Sequence, residues 1–319
     1  MTQFLDFEKP LLDIQTRIEA LREAAASKAD IAEKDIEGEI KRLEIRSARV
    51  ARLLYRDLNP LQKVQVARHP SRPQGPDYVR ALVKDFVPLA GDRRFGDDKA
   101  LLAGVGCFLG QTPCVVLAVD KGKTTAERLA RNFGMPKPEG YRKAQRLVRM
   151  ADRLGLPVLA FVDTPGAYPG IDAEERGQAQ AIAESIEVLL GVDVPVISVI
   201  TGEGGSGGAL ALAAADRVLM LEHSVYSVIS PEGCAAILWK EATKDTIPLA
   251  ADALKLTAPD LLKFGVVDAV MKEPVWGAHR DASLAIKRVG YAIQTHLAEV
   301  TQSGGGKTAR RERFLRIGR

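Results

Sequence analysis

Apolar residues recur at steps of three and four along the N-terminal part of the chain. Ile14, Ile18, Leu21 and Ala25 make one such run, and Ile36, Ile40, Leu43, Ser47, Val50 and Leu54 a second, after the polar "SKADIAEKD". The spacing predicts helices from residue 10 to about 58, folded as a hairpin on themselves or on a partner. "RHPSRPQGPD", Arg68 to Asp77, then reads as a proline-rich linker. "PDYVRALVKDF" opens a short helix with Pro76 near its start.

From Ala100 the texture changes. "ALLAGVGCFLGQTPCVVLAVD" predicts two strands around a Gly-Gln turn, with Cys107 facing Cys114 if Gly110 and Gln111 centre it. "LPVLAFVD" and "VPVISVIT" show little alternation, as expected of strands buried on both faces of a parallel sheet. A helix over about 173–190 joins them. Further helices are expected over "TTAERLARNF", "GYRKAQRLVRMADRLG", "SPEGCAAILWK" (Ser230 as N-cap, Pro231 first), 248–265 and 279–299, with strands at "RVLMLEH" and "VVDAVM". The chain divides into a helical hairpin and linker (1–75), an α/β core (76–275), a C-terminal helix (276–300) and a basic flexible tail (301–319).

Charge adds a local feature only. The net +4 is concentrated in the last sixteen residues, where six basic side chains stand against Glu312; that end reads as solvated or as a contact for anionic partners, nucleic acid included. Three cysteines without a C-x-x-C pair suggest free thiols in a reducing compartment, and no apolar run has membrane-spanning length. A cytoplasmic protein is expected.

The candidate chemistry lies in "TGEGGSGGALALAA", Thr201 to Ala214. Five of the seven residues from Gly202 to Gly208 are glycine. Gly202, Gly204 and Gly207 match the dinucleotide fingerprint, but too few residues follow for its crossover helix. Gly204, Ser206 and Gly208 match a nucleophile elbow, but none of His69, His223, His279 and His296 has a recognisable triad context. A Walker loop fails because Gly208 and Ala209 stand where Lys and Ser/Thr belong. The remaining reading uses backbone donors. "FVDTPGAYPG", Phe161 to Gly170, ends the strand that one helix connects to the strand before the glycines. A right-handed crossover would open both loops on one sheet edge, so that an N–H from "PGA" and the start of the next helix aim at one point. Such a pair is an oxyanion hole, and glycines let a ligand oxygen reach the amides.

These strings, with "NFGMPKPEGYRKAQRLVRMADRLG", "DRVLMLEHSVYSVISPEGCAAILWK" and the opening "FLDFEKP", resemble the carboxyltransferase alpha subunit of bacterial multisubunit acetyl-CoA carboxylase as far as about residue 295. The resemblance implies a crotonase-like (ClpP/crotonase) core of repeated strand-strand-helix units and an α2β2 complex with a beta subunit that carries a zinc ribbon. It also implies transfer of a carboxyl group from carboxybiotin, held on a biotin carboxyl carrier protein and loaded by biotin carboxylase, to acetyl-CoA, giving malonyl-CoA for fatty acid synthesis. On this chain it points to Gly166, Ala167, Gly207 and Gly208 as the biotin-side oxyanion pocket. Gly205 and Ser206 (an N-cap) would shape the approach, Pro165 and Tyr168 would wall the ligand, and the chain itself would bind no metal. The helical hairpin becomes a candidate beta-subunit contact. Lys121, Lys123, Arg142 and Lys143 become candidates for CoA phosphates or a solvated face. The alternatives are a hydratase using Asp163, Glu174 or Glu203, a serine hydrolase using Ser206, and a non-catalytic binding module whose tail meets nucleic acid.

Overall fold

A computed structural model describes residues 3–27 and 33–318. Helices α1 (Lys9–Ser27) and α2 (Glu33–Arg56) pack side by side as the hairpin, with Leu11, Ile14 and Ile18 buried. Most of "SKADIAEKD", between the two helices in sequence, lies outside the described residues. Short helices α3 (Pro60–Ala67) and α4 (Gly75–Leu82) follow. The segment between them is no solvent linker, because His69, Arg72 and Gln74 are buried in it. Arg72 donates to the Thr201 carbonyl (2.6 Å) and pairs with Glu273 (2.5 Å). Only the far-off carboxylate makes that burial affordable.

Strands β1 (Val83–Pro88), β2 (Leu101–Phe108) and β3 (Thr112–Val119) run antiparallel. "VKDF", expected as helix, is therefore an edge strand, mostly exposed and held by pairing with β2. The β2–β3 loop has three residues rather than two, with Leu109 and Gly110 at φ +50° and +68°. That shifts the register by one, so Cys114 faces Gly106 and Cys107 faces Pro113. Helices α5 (Thr125–Ala130) and α6 (Pro138–Leu154) lead to β4 (Val158–Thr164). The helix expected at 173–190 is two, α7 (Ile171–Glu175) and α8 (Gln178–Gly191), divided at Gly177 with φ +80°.

Then come β5 (Val196–Gly205), α9 (Ser206–Ala213), β6 (Arg217–Leu221), β7 (Val225–Ser227), α10 (Pro231–Leu238), α11 (Thr246–Ala253) and α12 (Ala258–Lys263). Ser230 caps α10 as expected, accepting the Gly233 N–H at 3.1 Å. The chain continues with β8 (Ala269–Met271), α13 (Ala282–Gln302) and α14 (Lys307–Arg316). The sheet order is β1-β2-β3-β4-β5-β6-β8, parallel from β3 onward, with β7 alongside the far end of β5.

Every residue of β4 is buried. Val158, Ala160 and Val162 face one way with Leu147 and Leu212; Leu159 and Phe161 face the other with Tyr78 and Val289. Helices thus cover both faces of the parallel sheet, which is why its strands lack alternation.

The basic end forms α14 instead of a flexible tail. Arg310, 1% exposed, pairs with Asp216 (2.6 Å) and donates to the Leu189, Val192 and Val194 carbonyls; Arg313 pairs with Asp268 (2.7 Å). Two of the cations expected to meet nucleic acid are thus spent within the chain.

A buried polar cluster ties the N-terminal segment to the core. Glu8 accepts from the Tyr55 hydroxyl (2.7 Å) and Arg280 (3.3 Å), and His69 stacks on His279 with centroids 4.1 Å apart. Burial, then the charge on His279, pulls His69 down to about 4. Burial pushes Glu8 up, but bonds from His279, Leu5 and Tyr55 and the charge of Arg280 outweigh it, leaving about 2. Both folded values lie below the unfolded ones. The stability from His69 is therefore complete above about pH 6.5 and lost as pH falls toward 4; that from Glu8 is lost from about 4.5 toward 2. The urea midpoint is expected to fall between pH 7 and 4.5, with a smaller fall in His69→Gln. An equal fall in both proteins would remove His69 from the account.

Candidate functional site

The β4–β5 ladder is regular from Val158↔Val196 to Val162↔Ile200, then jumps to Thr164↔Gly204. β5 carries two extra residues across that step, a bulge that re-aims its end. Gly204 and Gly205 consequently run beside the turn after β4, where the two loops touch backbone to backbone. A Cβ on Gly205 would lie 2.1 Å from the Pro165 carbonyl oxygen; one on Gly208 would lie 2.5 Å from the Ala167 nitrogen. Only glycine permits either approach. The convergence expected from the strand-helix-strand unit is present.

The turn after β4 is built by Thr164. Its Oγ1 accepts the Gly166 N–H (3.1 Å) and donates to the Gly166 carbonyl (2.6 Å), with Gly166 at φ +150°. The Gly166 N–H is thus spent inside the turn. The next amide, of Ala167, has no acceptor among the described residues. Facing it is the first turn of α9. The Ser206, Gly207 and Gly208 N–H groups there have no intrahelical acceptor, and no described side chain caps the helix. They carry the positive end of the helix dipole. The arrangement can stabilise a developing oxyanion without any titrating side chain.

Gly205, not Ser206, is the N-cap, because β5 runs on through Gly205. Ser206 is exposed at φ +54°, an uncommon conformation for a serine. A Cβ on Gly207 would meet only Ile182 Cγ2, at 3.4 Å, so that glycine is not sterically required. Pro165 is exposed and lines a cleft of about 450 Å³ with Arg68, Lys121, Arg128 and Phe133. Tyr168 is held by Lys137, whose ammonium sits 4.6 Å from its ring centroid. Sequence reasoning missed Tyr141, a buried α6 residue whose hydroxyl has no partner among the described residues and lies 2.8 Å from a Cβ placed on Gly208. A tyrosine in the first turn of a helix gives no signal of that placement.

The cations proposed for CoA phosphates are engaged. Lys121 pairs with Asp163 (2.5 Å), Lys123 with Asp77 (2.7 Å) and Lys143 with Asp97 (2.6 Å), while Arg142 donates to the Arg176 carbonyl. Two of the hydratase carboxylates are also neutralised. Asp163 holds Lys121; Glu203 holds Arg68 (2.6 Å) and lies 3.4 Å from Lys121. Burial raises the Glu203 carboxyl, but these two cations outweigh it and hold it below the usual range. Glu174 is exposed on α7. None of the four histidines bonds to Ser206: His69 contacts Gln3 and Ser71, His279 contacts Tyr55, His296 contacts Glu299, and His223 lies beside Glu273. Ser206→Ala is expected to keep an activity that rests on these amides within about threefold, since the N–H groups remain. Loss of 100-fold, with fluorophosphonate labelling of the parent, would restore the hydrolase reading.

Together the fold and the loops define a crotonase-like protein with a cluster of backbone amides at its strand ends. Solved structures share that fold. Transcarboxylase 12S superposes with TM-score 0.55 at 20% identity, over 69% of this chain and 40% of that one. A Pseudomonas malonate decarboxylase hetero-dimer gives 0.53 at 21%, over 70% and 90%. The sequence profile described as "Acetyl co-enzyme A carboxylase carboxyltransferase-like" matches residues 4–318, and the chain belongs to that family. Curated relatives named acetyl-coenzyme A carboxylase carboxyl transferase subunit alpha are similar throughout. The one from Rhodopseudomonas palustris (strain HaA2) is 51% identical over all of this chain and 98% of its own length; that from Zymomonas mobilis is 53% identical over the whole of both.

Proposed function

We propose that the chain is the alpha half of a carboxyltransferase that moves a carboxyl group from carboxybiotin to acetyl-CoA, forming malonyl-CoA for fatty acid synthesis. The observation that carries this is the backbone contact of Gly205 and Gly208 with the Pro165–Ala167 turn, which sets the Ala167 amide, without an acceptor among the described residues, beside the first turn of α9. Carboxybiotin, brought by a separate carrier protein, supplies the carboxyl group. The part of this chain is electrostatic. The Ala167, Gly207 and Gly208 amides receive the negative charge that grows on the ureido oxygen as the carboxyl group leaves, while Gly166 and Gly205 hold the loops together. One such donor is worth about 2.7–4 kcal/mol of transition-state stabilisation. Ser206 and Pro165 border the approach, and Tyr168 flanks the turn.

The second oxyanion, on the thioester of acetyl-CoA, needs its own donors, which we assign to a beta subunit in an α2β2 complex. That subunit would also hold the family's zinc; among the described residues of this chain no group of three or more His, Cys, Asp or Glu could hold a metal. Biotin carboxylase would load the carrier, and the complex would work in the cytoplasm. None of the described helices is long and apolar enough to cross a membrane.

The test separates this from an acyl-CoA hydratase. The chain assembled with its beta partner is expected to consume malonyl-CoA only when biotin is present and to leave crotonyl-CoA unhydrated. Hydration, or biotin-independent loss of malonyl-CoA, would reject the proposal.

A further inference from the structure

The β5 bulge exposes backbone groups that the ladder no longer satisfies, and a small set of side chains takes them up. Asp163 Oδ1 accepts the Glu203 N–H at 2.9 Å, replacing the ladder acceptor, and Arg72 takes the Thr201 carbonyl. The Asp163 carboxylate lies so close over Gly202 that a Cβ there would stand 2.3 Å from Oδ1. Lys121, from the loop after β3, puts its ammonium 2.5 Å from the same oxygen and 3.4 Å from Glu203 Oε2. Arg68 holds the other Glu203 oxygen and continues to Glu232 on α10 (2.6 Å). Asp163 and Glu203 are each two residues before a contact point of the two loops, Pro165 and Gly205. The ion cluster therefore sits at the root of both.

We propose that Lys121 and Asp163 are positioning residues for carboxyl transfer. Resting on the function proposed above, the inference is that this pair fixes the bulge, and through it the separation between the Ala167 amide and the first turn of α9. A misplacement of about 1 Å in such a site costs on the order of 100-fold in rate. Neither residue touches substrate in this account; each acts through the backbone it holds.

The experiment has a kinetic arm and an arm independent of activity. In the complex with the beta partner, Lys121→Met is expected to lower kcat by about 10- to 100-fold while KM for malonyl-CoA stays within about threefold. Lys121→Arg is expected to recover most of the loss. Asp163→Asn combined with Lys121→Met is expected to exceed Lys121→Met alone, because the amide oxygen still accepts from Glu203 and no unpaired carboxylate remains buried. In the isolated full chain, hydrogen exchange of the Gly202–Gly205 amides is expected to accelerate about tenfold in Lys121→Met, with the β3 and β4 amides unchanged. Unchanged kcat together with unchanged exchange would overturn the inference. So would faster exchange throughout the sheet with kcat and KM both degraded, the mark of general destabilisation. Were the wild-type complex inactive, the function proposed above would fail, and the exchange arm alone would decide the positioning of the loops.

Discussion

Gly208→Ala is expected to reduce kcat for carboxyl transfer by 100- to 1,000-fold, about 2.7–4 kcal/mol, the loss typical of one oxyanion donor. The added methyl would lie 2.5 Å from the Ala167 nitrogen and 2.7 Å from the Gly166 carbonyl carbon, both backbone atoms. It would fill the space in front of that amide or push the turn off α9. Gly205→Ala is expected to do equal damage by a different route, because its methyl meets the Pro165 carbonyl at 2.1 Å and forces the loops apart. Gly207→Ala is the control: it keeps the N–H and meets only Ile182, so activity within about fivefold is expected. Steady-state kinetics of the three variants in the assembled complex reads the pattern. Equal losses at all three positions would mean that the glycines serve helix packing and not amide access.

Arg310→Leu is expected to destabilise the chain by about 3–5 kcal/mol, measured by urea unfolding of the full-length protein at pH 7, because it strands a buried carboxylate. The guanidinium contacts carbonyls at the end of α8 and in the turn into β5, and pairs with Asp216. Asp216 in turn accepts the Val196 N–H at the start of β5 (2.8 Å). The C-terminal helix thus fastens the strand that ends in the glycine loop. Removal of residues 305–319 is expected to cost at least as much. A shift below about 1 kcal/mol for both variants would return the tail to a solvated role.

The contrast between α14 and the glycine loop shows what the sequence could reveal. β4 and β5 announced themselves because burial on both faces removes alternation, and the helical connection between them determined that their loops open on one edge. Local chemistry sufficed there. Asp216 and Asp268 stand 94 and 45 residues before Arg310 and Arg313, so the docking of a basic end leaves no local trace. The same holds for Arg72, whose proline-rich surroundings suggest a linker while Glu273 draws it inside. Ser206 as N-cap follows from residue type alone; only the continuation of β5 through Gly205 moves the cap back by one. The bulge needs the ladder to be seen, and with it the role of Asp163, Lys121 and Gly202. The family resemblance points to Gly166 and Ala167 together, and Thr164 separates them by consuming the Gly166 amide.

Transfer of label from carboxyl-labelled malonyl-CoA to free biotin tests the proposed shared oxyanion site most directly, with this chain alone, with the proposed beta partner, and with Gly208→Ala in place of the wild type. Label is expected on biotin only in the wild-type mixture, with the variant assembled but at least 100-fold slower. Transfer by the chain alone, or by the Gly208→Ala complex at the wild-type rate, would contradict a half-site whose wall is the amides of Ala167 and α9.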